Sequence, residues 1–146
     1  MRDILFKGKR LDNGEWVEGN LIFPENFKRS EAFIIPIKFG NIYVQLKEGD
    51  LGFRYWYKVQ KETLCQFTGL TDKNGKKIWE NDIVFVTDEN DCSGQISTGI
   101  GDVIFIEGMW YIDGRPQEAL YDINKVFQIE VIGNALDNQE LLQEES

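Results

Sequence analysis

The chain has 146 residues, enough for one domain that buries about two-thirds of the surface its unfolded chain exposes. Its net charge of -9 argues against broad, sequence-independent nucleic-acid binding, which draws its affinity from counterions released by a basic surface. There is no histidine, which removes Ser-His-Asp and Cys-His catalysis, imidazole acid-base chemistry and the common His-bearing zinc sites.

Hydrophobic residues make up 42% and charged residues 28%, ordinary values for a globular protein. No apolar run approaches the roughly 20 residues of a membrane span, and Met1-Arg2-Asp3-Ile4 opens no signal-peptide core. Two cysteines, Cys65 and Cys92, have neither the number nor the spacing of a disulfide framework, so the expectation is reduced thiols in a cytoplasmic protein. Aromatic content of 13% and 14 Gly against 3 Pro favour strands punctuated by turns.

In chain order, Asp3 to Lys7 reads as a first strand, Asp12-Asn13-Gly14 as a turn, and Glu15 to Phe23 as a second strand closing an N-terminal hairpin. Pro24 ends it. Residues 24 to 32 are polar and read as loop. Ala32 to Ile37 and Ile42 to Leu46 are short strands around Phe39-Gly40-Asn41. Leu51 to Lys58 is an aromatic strand with Phe53, Tyr55 and Tyr57 on one face and Arg54, Trp56 and Lys58 on the other. Thr63 to Thr68 alternates and stops at Gly69. Asp72-Lys73-Asn74-Gly75 is a turn, because Asn and Gly tolerate positive φ. Lys76 to Trp79 leaves that turn as a strand, and Ile83 to Val86 is a short buried one.

Residues 87 to 101 read as a long polar loop. Val103 to Ile106 and Met109 to Ile112 form a second hairpin across Glu107-Gly108. Gln117 to Ile123 suits a short helical turn, Phe127 to Ile132 a last strand, and Asp137-Asn138-Gln139-Glu140 has the spacing of a capping box before a short C-terminal helix. Strands this short, with turns every ten residues or so, point to an all-β, mainly antiparallel fold. The expected architecture is a single β-rich domain over 1-146, with a small SH3-like barrel built from residues 62 to 133. If the chain is subdivided, the break falls near Val59 to Lys61, giving segments 1-60 and 61-146.

Several blocks carry a resemblance. They are Ile4-Leu5-Phe6-Lys7-Gly8-Lys9 and Gly14-Glu15-Trp16-Val17-Glu18-Gly19 near the start, and Gln66 through Lys76 in the middle. Glu130-Val131-Ile132-Gly133-Asn134 and Asp137-Asn138-Gln139-Glu140-Leu141-Leu142 complete them. In these the chain resembles the YopX family of phage and prophage proteins. The resemblance implies a phage-derived protein acting in the bacterial cytoplasm, with a mainly β fold. It carries over no catalytic residue. Cys65, Asn81 and Gln139 depart from the family pattern, and Asn81 replaces a glycine at little cost because Asn tolerates positive φ.

Chemistry-bearing candidates are few. Thr87 to Gly94 offers three carboxylates, but Ser93 stands where a calcium loop needs its sharp-turn glycine and Gly99 where it needs the closing Glu. Cys65 and Cys92 lack a histidine to activate them, and Cys65 suits a small buried hydrophobe. Glu80 and Asp82 would form an acid-base pair only in a cleft that raised one pKa, whereas an Asp at a strand entry more often binds backbone N-H groups. Arg54, Trp56 and Lys58 form the one binding surface the sequence suggests: aromatic and basic side chains together hold single-stranded nucleic acid by stacking and phosphate contacts. Core packing of that aromatic strand, together with the net charge, is the favoured reading.

No cofactor or metal is expected. The favoured function is a non-enzymatic, protein-binding module, with a nucleic-acid-binding module and a carboxylate-based metal-dependent enzyme as alternatives. Uncovered edge strands also make a homo-oligomer plausible, and no membrane association is expected.

Overall fold

The computed structural model describes residues 3–23, 31–36, 43–47, 50–53, 56–89, 95–114 and 118–143. The chain folds as two compact units, Met1–Gln66 and Phe67–Ser146, and is all-β apart from short helices. The division falls at Gln66, a few residues beyond the break read from the sequence.

In the first unit the strands are β1 (Phe6–Lys9), β2 (Trp16–Ile22), β3 (Glu31–Pro36), β4 (Tyr43–Lys47), β5 (Asp50–Phe53) and β6 (Tyr57–Gln60). The order is β6-β3-β2-β1, all antiparallel, while β4 and β5 form a hairpin of their own. Register sorts the residues by face. Ala32, Ile34 and Val59 are buried on one side, with Phe6, Val17 and Leu21 packed against them. Lys7, Lys9, Trp16, Glu18, Phe33 and Lys58 lie on the other. The sheet also curls: Arg10, just past β1, bridges to Val59 on the far strand, and Leu11 N-H donates to the Lys58 carbonyl at 3.0 Å.

The aromatic strand predicted over Leu51 to Lys58 is two strands instead. β5 ends at Phe53 and β6 begins at Tyr57; Arg54 and Tyr55 lie outside the described residues. Trp56 belongs to neither strand and is 58% exposed, so it is no part of a core.

β7 (Cys65–Thr71) crosses the division between the units. Cys65 and Gln66 pair with β1, and the remainder pairs with β8 (Lys77–Trp79). Gly69 interrupts this register without ending the strand. The buried Cys65 thiol donates to the Thr63 carbonyl at 3.4 Å, the small-hydrophobe role expected of it.

In the second unit β9 (Asp82–Asp88), β10 (Ser97–Ile106), β11 (Met109–Ile112) and β12 (Gln128–Asn134) form an antiparallel sheet ordered β11-β10-β9-β12. Helix α1 (Leu120–Val126) places Leu120 and Ile123, one turn apart, into the core with Ile78, Val84, Val86, Val103, Ile112 and Ile129. A final turn of helix, α2 (Glu140–Gln143), follows. The SH3-like barrel expected over residues 62 to 133 is not there. The four-stranded sheet is open, with β11 and β12 at its edges, so the end strands do not pair as barrel closure requires.

The long loop expected over 87 to 101 is also much shorter. β9 runs on to Asp88 and pairs with Ser97-Thr98-Gly99-Ile100. Ser97, Thr98 and Gly99 are polar or small, but a ladder uses backbone groups, so β9 can recruit them without an apolar pattern.

The β10-β11 turn places Glu107 at φ 49° and Gly108 at φ 84°. Two positive φ values suit a two-residue hairpin, but the first costs a side chain such as Glu about 1 kcal/mol. Glu107→Asn should therefore stabilise the protein by about 0.5–1 kcal/mol in urea denaturation. A variant no more stable than the parent would show that this turn stores no strain.

Candidate functional site

Asp72 and Asp82 are both held by backbone N-H groups, Asp82 by a side-chain amide as well. Asp72 is only 6% exposed. Its Oδ1 accepts the N-H groups of Asn74 and Lys76, both at 2.9 Å, and Oδ2 accepts that of Val131 at 3.0 Å. Gly75 N-H closes the turn on the Asp72 carbonyl, and Lys73 N-H reaches the Ile129 carbonyl at 2.9 Å. Of the turn residues only Gly75, at φ 79°, takes the positive value expected of both Asn74 and Gly75. Burial pushes the Asp72 carboxyl up, but the Val131, Lys76 and Asn74 amides and the Lys76 charge outweigh it, leaving the group below its ordinary value.

Asp82 is likewise buried. It accepts Trp79 N-H at 2.8 Å, the strand-entry role expected of it, and the Asn134 side-chain amide at 3.2 Å. Asn134 Oδ1 in turn accepts Leu136 N-H, and Asn138 Oδ1 accepts Asn134 N-H. Asn81, at φ 69°, makes the corner, as expected for Asn in place of Gly. Among the described residues, every buried side-chain nitrogen or oxygen has a hydrogen-bond partner, and no three His, Cys, Asp or Glu side chains are grouped to hold a metal ion. Cys92, Asn90 and Asp91 lie outside the described residues.

Asp102 behaves in the opposite way. Burial first, and the Asp113 charge second, hold its carboxyl above the ordinary value. Sequence reading passed over it, since nothing in Gly101-Asp102-Val103 announces burial.

Two surfaces remain. In the second unit the tip of the β10-β11 hairpin is apolar on both faces. Phe105 faces Trp110 across the strands, their ring centroids 4.7 Å apart, while Ile106 faces Met109. Trp110 packs against the core, but Phe105 is 51% exposed and Met109 48%. In the first unit Lys7 and Lys9 place their ammonium groups 4.6 and 5.4 Å from the centroid of the Trp16 ring. Arg10 stacks over Tyr57 at 4.1 Å. Of the residues the sequence offered, Lys58 is exposed on the same sheet face as Lys7 and Lys9, Trp56 is exposed beside β6, and Arg54 lies outside the described residues. The alternation Lys7-Gly8-Lys9 and the position of Trp16 across the first turn were the readable signals for the surface that was missed.

The two aspartates give opposite expectations with pH. A carboxyl depressed in the folded state contributes stability that is complete above the ordinary pKa of about 3.9 and is lost as pH falls through the folded value. Asp72→Ala should thus cost about 2–4 kcal/mol at neutral pH by urea denaturation, with the gap to the parent narrowing below about pH 4. A gap independent of pH would refute the assignment. A raised carboxyl disfavours folding once it must ionise, so Asp102→Asn should stabilise at neutral pH and become neutral in acid.

Among known proteins, the family description "YopX protein" matches residues 34–143. The crystal structure of protein EF1440 from Enterococcus faecalis is similar, with a TM-score of 0.63, 19% sequence identity, and coverage of 97% of this chain and 99% of that one. At that identity the likeness is one of fold. No curated protein matches. Among the described residues, no helix is long and apolar enough to cross a membrane. With its matched span extending from β3 to the end of α2, the chain belongs to the YopX family.

Proposed function

We propose that this protein is a non-enzymatic module that binds another protein through the tip of the β10-β11 hairpin. The observation that carries this reading is the exposure of Phe105, Ile106 and Met109 around a two-residue turn. Cross-strand pairing steadies the hairpin itself, but only one face meets the core, so the tip leaves apolar surface in water that a partner could cover. Aromatic and Met side chains on a backbone fixed by hydrogen bonds are the usual anchors of protein interfaces. Phe105 is held by a tilted ring contact with Trp110, which reduces the side-chain freedom lost on docking.

The carboxylates support the same reading. Asp82, one member of the acid-base pair the sequence offered, and Asp72 both already accept backbone or amide donors. A depressed pKa also suits Asp72 poorly for proton transfer at neutral pH, where a general acid or base works best near the ambient value. The setting we propose is that of a phage- or prophage-derived accessory factor acting in the bacterial cytoplasm on a host or phage protein.

A photo-crosslinking residue at position 105 or 109 should trap the same partner from bacterial lysate, and one at Leu136, also exposed, should not. With that partner purified, Phe105→Asp and Met109→Asp should each weaken the complex by at least about tenfold, as loss of an interface anchor does. Leu136→Asp should leave it intact. If both hairpin variants bind like the parent, the reading fails.

A further inference from the structure

The whole-chain charge of -9 conceals a division. Residues 1–66 hold 11 Lys and Arg against 9 Asp and Glu, a net charge of +2, while residues 67–146 hold 5 against 16, a net charge of -11. Acidity therefore opposes nucleic-acid binding at the second unit and not at the first. In the first unit the basic groups converge on an aromatic ring. Lys7 and Lys9 alternate along β1 and so share one face, Trp16 stands opposite Lys9, and both ammonium groups lie over the indole. Beside them is an open concavity of about 290 Å³ lined by Lys7, Trp16, Val17, Glu18 and Pro36. On the same face Lys58 stands opposite Phe33, and the curl of the sheet brings β6 back beside the end of β1, where Leu11 N-H donates to the Lys58 carbonyl at 3.0 Å.

We propose that this face binds single-stranded nucleic acid, with phosphates held by Lys7 and Lys9, a neighbouring base stacked on Trp16 in the concavity, and the strand continuing toward Phe33 and Lys58. Each part supplies one of the two requirements for such binding, cations for the backbone and a flat ring for the bases. Cation-π contact pre-positions the lysines, which reduces the side-chain ordering that a phosphate contact would otherwise demand. Glu18 lines the same concavity opposite Lys7 and opposes an anion there, so the affinity is modest and the site is tuned by that one carboxylate.

The probe is a fluorescein-labelled oligothymidylate of about twelve nucleotides, within the usual range of site sizes, followed by anisotropy with the full chain. Three phosphate contacts predict a log-log salt slope of about -2, or about 20-fold weaker binding between about 50 and 200 mM salt. Lys7→Gln combined with Lys9→Gln should reduce the slope to about -0.7. Trp16→Leu should weaken binding about tenfold, Trp16→Phe less, since a stacking ring remains. Glu18→Gln should tighten it, while Lys125→Gln and Phe105→Asp, both in the second unit, should change nothing. Thermal melts of each variant separate lost binding from lost folding. Absence of binding at low salt overturns the proposal, as does binding indifferent to the Lys7/Lys9 pair. Equal affinity for a heparin fragment, with Trp16→Leu as good a binder as the parent, would reduce the face to a general polyanion attractor and overturn it too. Because the hairpin variants are silent in this assay, its failure leaves the protein-binding reading untouched, and the converse holds.

Discussion

The arrangement on which the second unit depends is the Asp72 carboxylate. Three backbone N-H groups from two separate stretches of chain converge on one buried side chain, so a single residue both shapes the β7-β8 turn and fastens it to β12. Val131, the remote donor, lies where the β9-β12 register shifts between Val131 and Gly133, a point where the ladder leaves an N-H to be satisfied elsewhere. Burying the carboxylate opposes its ionisation, yet charge-assisted hydrogen bonds are worth about twice neutral ones, and the net effect keeps it charged. Asp82 repeats the solution at the next corner, linking Trp79 to Asn134.

That explains which parts of the fold can be read from sequence. Turn chemistry is local, so the hairpins at Asp12-Asn13-Gly14 and Glu107-Gly108 and the corner at Asn81 follow from adjacent residues. The partners of Asp72 and Asp82 are not local. Val131 and Asn134 lie 59 and 52 residues away, and nothing in the sequence pairs them. Ser97 to Ile100 became strand because β9 offered unpaired backbone groups, a property of the neighbour rather than of those four residues. Barrel closure, too, concerns which strands meet, and period-2 patterns look the same in an open sheet.

The candidate surfaces were legible to different degrees for similar reasons. Arg54-Tyr55-Trp56-Tyr57-Lys58 drew attention as a contiguous run, whereas Lys7, Lys9 and Trp16 are brought together by strand pairing across a turn. Net charge misled in another way. Averaged over the chain it describes neither unit, since one carries +2 and the other -11.

This division also separates the two proposed activities physically. The second unit repels polyanions over a distance set by the Debye length, about 8 Å at physiological ionic strength, so its apolar tip is suited to a protein, and best to one whose rim is basic. Burial of Phe105, Ile106 and Met109 responds little to salt, because transfer of apolar surface from water involves no counterions. Phosphate contacts at Lys7 and Lys9 would weaken steeply with salt by the opposite logic. Two surfaces that answer differently to ionic strength can be occupied or vacated separately. What keeps them distinct is charge balance: the unit that holds the lysine-flanked tryptophan sets 11 basic residues against 9 acidic ones, and the other sets 5 against 16.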